Sequence, residues 1–180
     1  MEDPGLKSVI NLNPLILPNS MGRHEHKKFA KSEVNLIERL VNNMMHFGKK
    51  HAKNTGRMGG KKSRSINLIK TSFEIISLET NTNPIQCLVK AVENAAPNED
   101  TTQIAYGGVR YSTSVDISPQ RRLDLALRFI SEGVREASFS TLITVEEALA
   151  AEIILASNND TNSYAIKKKN EQERIAMSSR

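Results

Sequence analysis

The chain has 180 residues, a length that fits one domain and allows about 70% of the unfolded chain's surface to be buried. Its 25 Lys and Arg exceed its 20 Asp and Glu, and the excess is concentrated: residues 21–70 hold 13 basic and 3 acidic side chains, whereas residues 71–105 hold 1 and 5. A positive segment of this kind favours binding to phosphate or another anionic surface. A single cysteine excludes a fold built on internal disulfides, and no apolar run approaches about 18 residues, which predicts no membrane partner.

The N-terminal third is predicted to contain one helix between two irregular segments. Residues 1–20 carry three prolines without an apolar period and are expected to form an irregular leader. Ser32 can cap a helix that runs to about residue 47, because apolar residues recur on one face from Val34 to Met45. Residues 48–65, the basic loop, are polar and glycine-bearing and cannot bury enough apolar area to offset their ordering entropy. We expect this loop to order only on a partner.

Two helices are predicted between the basic loop and residue 97. The first has apolar residues at helical spacing from Ile66 to Ile76. The second starts at Asn83 and Pro84, an N-cap followed by a first-turn proline, and stops before Pro97.

A two-stranded hairpin, the arm, is predicted at about residues 101–117. Two glycines at its centre indicate a two-residue turn, which sets these pairs opposite one another: Tyr106–Val109, Ile104–Tyr111 and Thr102–Thr113. This register collects the apolar residues on one face and the polar residues on the other. Two strands alone are only marginally stable in water, so the arm should either lie on helices or reach out to a partner.

Three more helices are predicted after the arm. Ser118 and Pro119 repeat the earlier start signal, and an apolar stripe follows from Leu123 to Ala137. Thr144 with Glu147 forms a capping box that opens the next helix. The last segment, from about residue 163, is helix-prone but weakly amphipathic, so it is expected on the surface rather than in the core.

Residues able to support catalysis are scarce. His24 and His26 do not share a helix face and lack accompanying metal ligands, so a solvated basic turn is favoured over a metal site. The segment TGRMGGKKS departs from a phosphate-binding P-loop, because Lys62 stands where Ser or Thr must hold magnesium. No nucleophile lies beside a base in a recognisable motif. The sequence therefore predicts no enzyme, no metal and no cofactor.

Binding to nucleic acid fits the composition better. The chain has only 8 aromatic residues and no tryptophan, and it lacks the basic-aromatic strings with which single-strand binders stack bases. We therefore expect Lys and Arg to contact backbone phosphates, with recognition of the shape of a folded RNA or a duplex.

Several separate segments, in order, resemble one ribosomal protein family. The chain is similar to the eukaryotic and archaeal branch of universal small-subunit ribosomal protein seven, called small-subunit protein five in eukaryotic nomenclature. The resemblance spans roughly residues 21–180, whereas residues 49–56 look like an insertion and the leader has no clear counterpart. It rests on these strings: GRHEHKKFAK, IERLVNNMMHFG, NPIQCLVKAVENAAPNEDTTQIAYGGVRYSTSVDISPQRRLDLAL, GVREASFSTLITVEEALAAEIILAS and NSYAIKKKNEQERIAMSSR.

The resemblance implies a mainly α fold, a single domain of about six helices with a protruding two-stranded β-hairpin between the third and fourth. It also implies a non-enzymatic, cytoplasmic constituent of the ribosome that binds the 3′ major (head) domain of small-subunit rRNA and nucleates head assembly. The arm and the C-terminal tail would then lie near exit-site tRNA and mRNA. Neighbouring head and platform ribosomal proteins would be further partners.

The same resemblance implies which residues meet these partners. The implied rRNA-binding residues are Arg23, His24, Lys27, Lys28, Lys31, Lys49, Lys50, Arg57, Lys61, Lys62, Arg64, Arg121 and Arg122. The implied exit-site residues of the arm are Tyr106, Gly107, Gly108, Arg110 and Tyr111. The implied mRNA- and tRNA-facing residues of the tail are Lys167, Lys168, Lys169 and Arg180.

Two other classes of protein stay open at this point. A free-standing architectural DNA-binding protein would also combine helices, a basic surface and an arm that enters the minor groove. The two glycines at the tip argue against it, because they offer no apolar wedge. A helical protein-interaction adaptor would explain the apolar stripes but not the positive segment.

Overall fold

The computed structural model describes residues 3–45 and 58–180. Seven α-helices and one hairpin occur in these ranges, and two short 3₁₀ turns, Arg23–His26 and Ala30–Glu33, precede the second helix. In chain order the elements are α1 Pro4–Lys7, α2 Leu36–Met45, α3 Lys62–Thr80, α4 Pro84–Ala95, β1 Glu99–Tyr106, β2 Val109–Asp116, α5 Pro119–Ser138, α6 Val145–Ser157 and α7 Tyr164–Ser178. The mainly α fold with a two-stranded arm is confirmed. Because α1 precedes the six longer helices, the arm lies between α4 and α5.

The helix starts follow the local signals with one exception. Asn83 accepts from the backbone N–H of Ile85, and Thr144 and Glu147 form the reciprocal capping box. Ser118 is the N-cap of α5, although its side chain makes no capping hydrogen bond. The predicted start at Ser32 is wrong, because Ser32 lies in a 3₁₀ turn and α2 begins at Leu36.

The helices surround one apolar core. All seven helices contribute fully buried side chains to it, and the large ones include Leu6, Leu40, Ile76, Leu88, Leu127 and Ile153. Leu6 belongs to the predicted irregular leader, so at least one turn of that segment packs into the core. Ala137, predicted at the end of the α5 stripe, is instead exposed, because it lies in the last turn of α5, beyond the buried stripe.

The arm leaves the core and has the predicted register. Ile104 pairs with Tyr111 and Tyr106 with Val109. Gly107 and Gly108 have φ values of 57° and 84°, which a two-residue turn of the I′ type requires and which glycine adopts without steric cost. Apolar side chains along the arm remain exposed, Tyr106 by 80%. The arm therefore contacts α7 at its base and reaches outward from there.

Helix α7 is more deeply embedded than predicted. It buries Ala165, Ile166 and Ala176, and the carboxylate of Glu152 on α6 accepts from Ser163 Oγ at 2.7 Å and from the N–H of Ala165 at 2.9 Å. A carboxylate at a helix N-terminus is favourable because it meets unpaired N–H groups and the positive end of the helix dipole. The expectation that this segment lies only on the surface is therefore wrong.

Candidate nucleic-acid interface

Two predicted basic segments meet at the start of α3. Lys62 Nζ lies 2.6 Å from Glu38 Oε1 and 3.0 Å from Asn19 Oδ1. Glu38 also accepts from the backbone N–H of Ser20 at 2.7 Å and from its hydroxyl at 2.9 Å. Ser20 Oγ in turn lies 3.3 Å from His24 Nδ1. This network joins the first 3₁₀ turn, α2 and α3, although their residues are far apart in sequence.

The network changes the interpretation of Lys62. The basic loop was predicted to extend to residue 65, but α3 begins at Lys62, so Lys62 and Arg64 lie in its first turn. The Lys62 side chain is 22% exposed and its carboxylate partner is 2% exposed. Burial by itself raises the pKa of Glu38, but the hydrogen bonds from Lys62 and Ser20 outweigh it and lower that pKa. Lys62 thus joins elements of the fold.

Other predicted cations are also paired within the chain. The pairs are Lys31–Asp124 at 2.8 Å, Arg121–Asp100 at 3.1 Å, Arg122–Asp3 at 2.7 Å, Lys168–Glu171 at 2.6 Å and Arg180–Glu99. Lys169 Nζ donates to the carbonyl of Asn94 at 2.8 Å. Solvent-exposed pairs are worth about 0–1 kcal/mol, which applies to these pairs apart from the partly buried Arg122–Asp3. The exposed pairs therefore position side chains, yet an RNA phosphate can still replace the carboxylate partner of the cation.

Seven predicted cations have no ion-pair partner among the described residues, and all seven are exposed. They are Arg23, Lys27, Lys28, Lys61, Arg64, Arg110 and Lys167. The first five lie on the two segments that the network around Glu38 joins, and we call these five residues the unpaired basic surface. Lys49, Lys50 and Arg57, together with the apparent insertion at 49–56 and most of the basic loop, lie outside the described residues.

The arm and the tail meet at the base of the arm. Glu173 of α7 accepts from the backbone N–H of Asn98 at 3.0 Å, and Arg180 pairs with Glu99. Burial by itself raises the pKa of Asp100, but hydrogen bonds from Gln172 and the N–H of Thr101 and the ion pair with Arg121 lower it below its ordinary value. The structure therefore brings Arg121 and Arg180 to one place, the foot of the arm, whereas Tyr106 to Tyr111 occupy its far end.

Sequence patterns missed the acidic partners and one buried cation. Arg39 is 3% exposed, and its Nη2 lies 2.8 Å from Asp124 Oδ1. The available signal was the adjacent charged pair Glu38 and Arg39 inside the apolar stripe of α2. Charged side chains at such positions are rarely buried without a partner. The pair therefore indicated that Glu38 and Arg39 have buried partners, but it did not identify those partners.

The described residues contain no group of three or more His, Cys, Asp or Glu placed to hold a metal ion. Within the same ranges, no helix has the length and apolar composition required to cross a bilayer.

Comparison with known proteins identifies the family. The family described as ribosomal protein S7p/S5e matches residues 7–180. Small ribosomal subunit protein uS7 of Cenarchaeum symbiosum (strain A) is 60% identical over 178 residues, which are 99% of this chain and 89% of the relative. The protein of the same name from Methanothermobacter thermautotrophicus is 49% identical, with 99% and 91% covered. That from Nanoarchaeum equitans is 49% identical, with 100% and 92% covered.

The chain therefore belongs to the ribosomal protein S7p/S5e family. As a member it is a structural ribosomal protein of the small subunit, located with the ribosome in the cytoplasm, and not an enzyme, which confirms those predictions. Its partners are ribosomal RNA and other ribosomal proteins. The match begins at residue 7, so the expectation that the leader lacks a counterpart is wrong for most of that segment.

Proposed function

We propose that this protein binds the 3′ major domain of small-subunit rRNA, nucleates assembly of the head of the subunit, and lines the tRNA exit site and the mRNA exit region. The observation that carries the rRNA proposal is the unpaired basic surface of Arg23, Lys27, Lys28, Lys61 and Arg64. Exposed cations without carboxylate partners can release counterions from RNA when they contact its phosphates.

The hydrogen-bonded connection between the two segments of that surface supports the same function. Lys62, Glu38 and Ser20 connect its two segments through hydrogen bonds of 2.6–2.9 Å. Cations held in a fixed arrangement lose less conformational entropy on binding than cations on independent loops. The surface can therefore match the spacing of phosphates on a folded RNA.

The arm and the tail support the proposal for the exit site. Ile104, Tyr106, Val109 and Tyr111 expose an apolar face along the arm, each by more than half of its side chain. Such a face suits stacking on nucleotides or contact with a neighbouring head or platform protein. Lys167, Lys168 and Lys169 add positive charge on α7, and Arg180 adds it directly after that helix, which packs at the foot of the arm.

A triple substitution tests the rRNA proposal. Replacing Lys28, Lys61 and Arg64 with Ala should flatten the slope of log affinity against log salt for the isolated 3′ major domain RNA by about 2–3. The matched control replaces Lys7, Lys90 and Arg174, which are exposed and have no ion-pair partner among the described residues, and changes net charge equally. Its slope should stay near that of the unaltered protein. Equal slopes for the two triple variants would contradict the proposed interface.

A further inference from the structure

A pocket beside the basic surface contains a buried cation that sequence analysis did not single out. Its volume is about 190 Å³, and His24, Lys31, Val34, Arg39, Asn42 and Asn43 line it. The pocket lies between the two 3₁₀ turns and α2. A water occupies about 30 Å³ in the liquid, so the pocket can receive a group several times larger.

The guanidinium of Arg39 is incompletely satisfied. Its Nη2 binds Asp124 Oδ1, but Nε and Nη1 are buried and have no hydrogen-bond acceptor among the described residues. Buried charged donors are costly unless they are paired and hydrogen-bonded, and an orphaned one requires a specific explanation. An acceptor-rich anion entering the pocket would supply the missing acceptors after a small adjustment of the side chain.

The charge around the pocket favours an anion. Lys31 and Arg39 both pair with the carboxylate of Asp124, each at 2.8 Å. Two cations of the pocket lining therefore share one anion, and none of the residues that line the pocket carries a carboxylate. Asn42 adds an amide that can donate, and its side chain has no hydrogen bond among the described residues. The planar fork of arginine matches the oxygens of a phosphate in a two-point contact.

We propose that this pocket binds one backbone phosphate of RNA, with Arg39 as its innermost donor and Lys31 and Asn42 at its entrance. The inference rests on the proposed rRNA interface and adds a specific anchoring point to it. Arg23, Lys27 and Lys28 continue the positive charge outside the pocket, as expected for a chain of phosphates rather than an isolated anion. In RNA binding, the phosphate replaces part of the Asp124 interaction with Lys31.

The substitution Asn42→Asp tests the site without removing the buried cation. It places a carboxylate in the pocket, where it can satisfy Arg39 within the chain and repel an incoming phosphate. We expect unchanged or increased thermal stability, an affinity for the 3′ major domain RNA lower by roughly tenfold or more, and a salt slope reduced by about 0.7–0.9. Asn170→Asp on the exposed face of α7 changes net charge equally and should leave RNA binding unchanged.

A thermal-shift measurement with inorganic phosphate tests anion binding at the pocket independently of RNA binding by the rest of the surface. At matched ionic strength, millimolar phosphate should raise the melting temperature of the unaltered protein above that in chloride, because a ligand that binds only the folded state stabilises it. Asn42→Asp should lose this increase. Arg39→Gln should lose it as well and should bind RNA less tightly, provided that its circular dichroism shows a folded chain.

Three outcomes decide the proposal. If Asn42→Asp binds RNA with unaltered affinity and slope, the pocket does not hold an RNA phosphate. If phosphate stabilises the protein but Asn42→Asp leaves RNA binding unchanged, the pocket holds free anions only, and the proposal is again wrong. If the unaltered protein does not bind the RNA domain with a strong salt dependence, it is the proposed function that fails.

Discussion

Lys62 and Lys61 are adjacent in sequence, yet the structure gives them different roles. Lys62 is largely buried against Glu38, whereas Lys61 is exposed and has no ion-pair partner among the described residues. Lys62→Met keeps the aliphatic stem but removes the ammonium group, leaving Glu38 buried with only the hydrogen bonds from Ser20. We therefore expect Lys62→Met to reduce the free energy of unfolding and Lys61→Met to leave it nearly unchanged.

The size of the effect follows from the burial of the pair. Removing one partner of a buried ion pair costs about 3–5 kcal/mol. Lys62 retains some exposure, and Ser20 still donates twice to Glu38, so we expect about 2–3 kcal/mol after allowance for solvent screening. For a domain of this length that loss lowers Tm by roughly 5–10 °C. A surface substitution such as Lys61→Met should change the free energy of unfolding by no more than about 0.5 kcal/mol.

The pH dependence gives an independent check. The folded pKa of Glu38 is lowered, so its interactions stabilise the protein above the unfolded pKa of about 4.3 and are lost as the pH falls through the folded value. In Lys62→Met the buried carboxylate lacks its cation, and its pKa should rise. The difference in stability between the two proteins should therefore be full at pH 7, should begin to narrow as the pH falls through the raised pKa of Glu38 in the variant, and should be lost once the pH falls through the lowered pKa in the unaltered protein.

Urea unfolding followed by circular dichroism at pH 7, 5 and 3.5 measures these differences in stability. RNA titrations at several salt concentrations measure the salt dependence of RNA affinity. Lys61→Met should reduce the salt slope by about 0.7–0.9, whereas folded Lys62→Met should keep it. A structural role for Lys62 is contradicted if Lys62→Met unfolds like the unaltered protein while its salt slope falls. That result would make Lys62 a phosphate contact rather than a structural residue.

Two further predictions concern the docking of α7. A Cβ at Gly133 would lie 2.8 Å from Tyr164 Cβ and 3.1 Å from Glu152 Cδ. Gly133→Ala should therefore reduce the free energy of unfolding by about 1–3 kcal/mol and increase amide exchange in α7. Gly59→Ala is the control, because a Cβ there meets open space, and it should change neither quantity. Removing residues 167–180 should increase amide exchange at the foot of the arm, since Glu173 and Arg180 contact Asn98 and Glu99, and should impair initiation or exit-site tRNA retention on assembled subunits. Unchanged exchange in either variant would show that α7 does not hold these elements.

The sequence alone determined the features that depend on neighbouring residues. The turn at Gly107 and Gly108 and the two-residue period of its flanking strands gave the hairpin register, because a shift by one residue would exchange the two faces. The signals at Asn83 and at Thr144 gave helix starts, since capping bonds involve residues at most three apart. These interactions are local and can be recognised without knowledge of the tertiary structure.

Only the tertiary structure decided which cations are available to a partner. Lys62 forms an ion pair with Glu38, Arg122 with Asp3, and Arg39 with Asp124, and the two partners of each pair are at least 24 positions apart in the chain. A run of basic residues predicts a positive field, because the field depends on the sum of the charges. Whether one ammonium group faces solvent or a carboxylate depends on which distant elements pack together, and charge composition contains no information about that packing.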